Sequence, residues 1–285
     1  MAAHITPEKI KELRERAGVG MSQCKEALVH ANGDIDKAIE YLRKTGAASA
    51  VKKEGRETRE GIIGIAETAQ TLALVEINAE TDFVVKNERF QKFVDEICAI
   101  AAHHKPISLE HFLHKTYAKD ATTSIDQYRN TLIQSFGENI QIRRMEVIAK
   151  IANASYGIYS HMNGKIVSIV VLKGDSGLSE LARDIAMHVV AESPEYLKPE
   201  NVPQELVKKE EEIAKSQIKG KPENIVKNIV AGKIKSFYDT VCLLQQKYVK
   251  DTTITVQQLV ENQAKKTGKP LELISFWRWK VGEGK

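Results

Sequence analysis

The feature that most constrains this chain is a unit that occurs twice. The first copy begins Gly61-Ile62-Ile63, turns near Ala69-Gln70 and continues through Leu72-Ala73-Leu74-Val75-Glu76-Ile77. The second begins Gly157-Ile158-Tyr159, turns at Met162-Asn163-Gly164 and continues from Ile166 to Leu172. Asn-Gly between apolar runs is a strong hairpin signal. The second strand of each copy is apolar almost throughout, the pattern of a strand covered on both faces. An amphipathic helix follows each hairpin, on Phe90, Phe93, Val94, Ile97 and Ala101 in one copy and Leu178, Leu181, Ala182, Ile185 and Val189 in the other. Ahead of the second copy, Ile140 and Ile142 alternate in one phase and Met145, Val147 and Ala149 in the other. The change of phase at Arg143-Arg144 predicts a bulge. Two antiparallel sheets carrying helices make an α+β core.

A small helical head precedes this core. Thr6-Pro7 starts one helix, Ser22 is expected to cap a second, and Asp34 opens a third on which Ile35, Ala38, Ile39 and Leu42 share a face. Residues 47–60 are polar and charged and read as an exposed connector. The expected divisions are 1–46 for the head, 47–60 for the linker, 61–138 and 139–200 for the two halves of the core, 201–250 for an arm with its return segment, and 251–285 for a short C-terminal module.

The copies differ after their second strands. Gly174-Asp175-Ser176-Gly177 is a compact loop with helix-start chemistry, whereas Asn78 to Asn87 is longer and carries Phe83-Val84-Val85 beside Asp82. Connections run over the surface and are normally polar. Two readings stay open: Phe83 tucks under its own helix, or it projects as an aromatic anchor for a partner pocket.

After Pro194, Pro199 and Pro203, two helices around Gly220-Lys221-Pro222 form a hairpin whose apolar seam, Val226, Val230, Ile234, Phe237 and Val241, is narrow like a coiled coil. Such an arm packs on a partner or its own copy, or folds back on the core. Residues 243–249 read as extended, 256–264 as a short helix, and 271–281 as a last strand with Phe276, Trp277 and Trp279.

Motifs for chemistry are scarce. Gly220-Lys221-Pro222 and Gly268-Lys269-Pro270 lack the glycine spacing of a phosphate loop, and no Cys-x-x-Cys or His-Glu-x-x-His occurs. His103, His104, His111 and His114 have no metal-site spacing. Gly174 to Gly177 with His103 superficially resembles a serine hydrolase pair, but the histidine falls on a predicted helix. No cofactor or metal site is expected. In 285 residues the net charge is only +4, with Lys/Arg runs no longer than pairs, so direct nucleic-acid binding is not expected. The three widely spaced cysteines, Glu8, Glu12 and Glu15 near the start, and the lack of a long apolar run point to a cytoplasmic protein off the membrane.

Several segments, in order, resemble the bacterial elongation factor Ts family across essentially the whole chain. They are Leu13 to Met21 with Cys24-Lys25-Glu26-Ala27-Leu28, Thr81-Asp82-Phe83-Val84, Gly137-Glu138-Asn139-Ile140 with Arg143-Arg144, Ile185-Ala186-Met187-His188-Val189, and Val281-Gly282-Glu283-Gly284. The resemblance implies a ubiquitin-associated-like head and a non-enzymatic guanine nucleotide exchange factor for elongation factor Tu. It implies that Phe83, with Asp82, Val84 and Val85, enters the partner's GTPase domain and disturbs its Mg²⁺ region. Met21, Cys24 and Lys25 would contact that domain, Gly137, Glu138, Asn139 and His161 would support the core contact, and the arm would form a homodimer. The family's Gln-Pro-Phe-Val is Gln246-Lys247-Tyr248-Val249 here. The alternative is an RNA-associated or ubiquitin-like-binding scaffold.

Overall fold

The computed structural model describes residues 5–117, 120–218 and 222–284. The chain is α+β and divides into two compact units, one of Met1–Lys150 with Lys280–Lys285, the other Ile151–Trp279. The division falls after residue 150, not at residue 139.

In the first unit, α1 (Pro7–Ala17), α2 (Met21–His30) and α3 (Ile35–Lys53) close around Leu13, Cys24, Ala27, Leu28, Ala38 and Leu42. Thr6 Oγ1 accepts from the Lys9 N–H at 3.3 Å, and Gly18 ends α1 at φ +66°. Gly20, not Ser22, precedes α2; its N–H donates to Gln23 Oε1 at 3.1 Å. The third helix runs on to Lys53, so much of the expected connector is helical, and Ala50 is buried in the core.

The elements that follow are β1 (Glu60–Glu67), β2 (Thr71–Ala79), α4 (Asp82–Val85), α5 (Glu88–His104), α6 (Leu109–Leu113), β3 (Thr116–Tyr117), β4 (Asp120–Ser124), α7 (Ile125–Phe136) and β5 (Ile140–Ala149). The sheet is antiparallel in the order β1-β2-β5. All nine residues of β2 are buried, as its composition requires. The strand expected ahead of the second copy therefore belongs to the first. Its bulge is where the phase change placed it: Glu76 faces Arg144 and Ile77 faces Ile142, leaving Arg143 as the extra residue.

The second unit contains β6 (Ala154–His161), β7 (Ile166–Lys173), α8 (Ser179–Glu192), a 3-10 turn (Pro199–Asn201), α9 (Gln204–Ser216), α10 (Glu223–Val241), β8 (Lys247–Tyr248), β9 (Asp251–Thr255), α11 (Val256–Thr267) and β10 (Glu272–Lys280). The sheet order is β10-β7-β6, so the last strand completes the second sheet as β5 completes the first. Gly220 and Lys221 of the expected arm turn lie outside the described residues, and Pro222 directly precedes α10. The start of α8 is held from β6: Ser155 Oγ accepts from the Leu178 N–H at 2.8 Å and donates to Asp175 O at 2.7 Å.

The two copies share one packing device, a glycine where the helix crosses its hairpin. A Cβ at Gly64 would strike Val94 and Cys98 of α5, and one at Gly157 would strike the backbone of Ala182 in α8. Gly64, three residues beyond the glycine that opens the first copy, is thus the structural counterpart of Gly157. Beside α8, His188 is fully buried; its Nδ1 accepts from the Val249 N–H at 3.2 Å, which leaves Nε2 to donate to Gln246 Oε1 at 3.0 Å. This network holds the return segment around Lys247.

Candidate protein-contact site

The segment after β2 is a single capped helical turn. Thr81 stands in extended conformation at its N-cap, and Lys86 and Asn87 close it, Asn87 Oδ1 then accepting from the Arg89 N–H at 2.9 Å to start α5. Apolar spacing sets the turn's orientation. Val84 and Val85 are 7% and 5% exposed and sit in the core cluster, while Phe83, which directly precedes them, is 82% exposed. Of the two readings of this loop, the projecting ring is the observed one.

Side-chain contacts from both ends lock the turn. Glu138 accepts from the Thr81 N–H at 3.0 Å and from its hydroxyl at 2.7 Å. Glu80 accepts from the Asn139 N–H at 2.6 Å, and Asn139 Nδ2 donates to the carbonyls of Arg56 at 3.0 Å and Glu54 at 3.3 Å. Gly137 ends α7 at φ +76°, a left-handed position that a side chain would strain. Lys86 donates to Asp82 at 2.6 Å. That hydrogen bond holds the Asp82 carboxyl below its ordinary range and pushes the Lys86 ammonium above its own.

The structure thus brings Asp82, Phe83, Val84 and Val85 together with Gly137, Glu138 and Asn139. Met21 is 62% exposed at the start of α2, and Lys25 is exposed one turn later. Cys24 corrects its expected role: it has no accessible surface, its thiol donates to Val19 O, and burial pushes its pKa up. It packs the head and cannot itself meet a partner. His161 is exposed at the end of β6 in the second unit, its ring 6.1 Å from Tyr159. Sequence reasoning missed Glu80, Arg89 and Ser135, whose partners lie far away along the chain. Only Glu80 had a local signal, a carboxylate placed just after a wholly buried strand.

The turn therefore displays an exposed aromatic ring on a backbone held in place by its neighbours. The family described as Elongation factor TS matches residues 80–283. The elongation factor Ts of Protochlamydia amoebophila is 55% identical over 281 residues, covering 99% of this chain and 100% of that protein. That of Chlamydia caviae is 43% identical over 280 residues, covering 98% and 99%. The chain belongs to the elongation factor Ts family and is a translation elongation factor of protein biosynthesis.

Proposed function

We propose that this chain is the guanine nucleotide exchange factor of elongation factor Tu. Phe83 acts as a wedge between helices of the partner's GTPase domain, and Asp82 is its polar companion. Val84 and Val85 anchor the wedge, and Gly137, Glu138 and Asn139 brace it. Met21 and Lys25 make a second contact from the head, and His161 a further one. The chain performs no bond chemistry; its action is linkage. A protein that binds the nucleotide-free GTPase more tightly than its GDP form weakens GDP by the same factor. Each tenfold weakening requires about 1.4 kcal/mol of differential contact. Burial of an aromatic ring and displacement of the Mg²⁺ that neutralises the phosphates are adequate sources.

The exposure of Phe83 on its braced turn, 82% against single digits for Val84 and Val85, carries the reading. Release of labelled GDP from purified elongation factor Tu, with and without this protein, tests it. Acceleration is expected, and an unchanged rate would sink the proposal. The arm is proposed as a homodimer surface. Val226, Val230, Ile234 and Tyr238 line a groove of about 570 Å³ along α10. Sedimentation that stays monomeric at high concentration would exclude this role.

A further inference from the structure

Gly18 is the meeting point of the head and the core within the first unit. Its left-handed conformation turns its carbonyl out of α1, where it accepts from the Arg89 guanidinium and, at 3.1 Å, from the Ser135 hydroxyl. Arg89 Nη1 also donates to Ser135 Oγ at 3.0 Å, and a Cβ at position 18 would strike the guanidinium. Two further bonds join the head to the same turn of α7: Gln23 Nε2 donates to Gln134 O at 3.4 Å, and Gln134 Nε2 donates to Thr45 Oγ1 at 3.2 Å.

The location of these bonds matters more than their number. Arg89 lies two residues beyond Asn87, the residue that closes the Phe83 turn and opens α5. Ser135 lies three residues before Glu138, which grips Thr81 at the other end of that turn. The end of α7 and the start of α5 therefore hold the wedge on one side and the head on the other. A cation in the first turn of a helix opposes the helix dipole, so the tertiary contact must outweigh a local penalty for Arg89 to stand there.

We propose that Arg89 is a positioning residue that fixes the head, with Met21 and Lys25, against the Phe83 turn, so that both reach one GTPase partner as a single bipartite surface. This rests on the exchange reading above. Arg89 supplies affinity through the head, and Phe83 supplies the displacement of nucleotide.

The test uses the full chain. GDP release from elongation factor Tu is measured against factor concentration for Arg89→Ala and Arg89→Lys. In parallel, dipolar distances are recorded between spin labels placed at the exposed Val29 and Ile107; the native cysteines at 24, 98 and 242 are buried. With Arg89→Ala the half-saturating concentration should rise about tenfold, as expected for loss of a charge-assisted hydrogen bond. The plateau rate should stay within about twofold, because the wedge is intact. The label distances should broaden, and Arg89→Lys, which keeps the charge and hydrogen-bond donors, should restore most of both. Combining Arg89→Ala with Met21→Ala should cost less than the sum of the two. An unchanged half-saturation, a narrow distance distribution in Arg89→Ala, or an equal loss of affinity and plateau rate would each overturn the role. Should the unmutated chain release no GDP, the exchange reading fails, while the label distances still decide whether Arg89 holds the head.

Discussion

Phe83 separates two properties that usually travel together, because its ring contributes nothing to its own core. Phe83→Ala should leave urea stability within about 0.5 kcal/mol and remove about 2 kcal/mol or more of coupling to the partner, roughly a thirtyfold loss of accelerated GDP release. Stopped-flow release and denaturation of the same sample check both halves. His188 makes the opposite prediction, about stability alone. Burial lowers its pKa from the ordinary 6.5, against the opposing Gln246 hydrogen bond and the Glu192 charge. The unfolded chain therefore binds a proton more readily than the folded one, and the stability is fully present above about 6.5 and declines as the pH falls toward the folded value. Urea midpoints at pH 7.5 and 5.5 should differ in that sense, and by less in His188→Gln. The motif containing His188 was legible in the sequence; its two partners, 58 and 61 residues away, were not.

At the scale of elements, the repeat was legible because its signals are local: an Asn-Gly turn, apolar strands and helical spacing. The glycine pair shows what local signals leave out. Nothing in the spacing distinguishes Gly61 from Gly64 as the mate of Gly157; the distinction lies in which one a helix crosses. It predicts an asymmetry. Alanine at Gly157 meets the Ala182 backbone, which cannot give way, whereas alanine at Gly64 meets the side chains of Val94 and Cys98. Gly157→Ala should cost about 3 kcal/mol or more and Gly64→Ala about 1–2, within the range for overpacked cores, as read from urea midpoints. Strand partnership was also hidden. The alternation in β5 marks the strand and its bulge but not its sheet, since phase reports which face is buried and not which neighbour it pairs with. The third strand of the second sheet comes from the far end of the chain, beyond the reach of any local pattern.

At the scale of the molecule, the buried carboxylate of Glu76 is the most informative group. It has no accessible surface and pairs with Arg144 Nε at 2.7 Å. It also accepts from the Gly282 N–H at 2.8 Å and from Asn78 Nδ2 at 3.2 Å. The bulge sends Arg143 and Arg144 to the same tail: Arg143 donates to Gly284 O at 2.6 Å and Arg144 to Lys280 O at 3.1 Å. Gly282 and Gly284 take φ of +81° and +79°, and a Cβ on Gly284 would come within 2.8 Å of Arg144. Removing one partner of such a pair leaves a charge without compensation, so Glu76→Ala should cost roughly 3 kcal/mol. Gly284→Val should cost less, since it disturbs only the outer contact; thermal midpoints of the two variants rank them. The family resemblance included Val281 to Gly284, but the reason for a Gly-x-Gly there is the left-handed backbone at both positions and, at Gly284, the approach of the Arg144 guanidinium.

That separation imposes an order of events on biosynthesis. The half of the chain that leaves the ribosome first contains Glu76, yet one of its hydrogen-bond donors is encoded 206 codons later. At about 5–20 residues per second the nascent unit waits roughly 10–40 s for its closing segment. During that interval it is an incomplete fold, whose finishing stroke is delivered by the late-made tail.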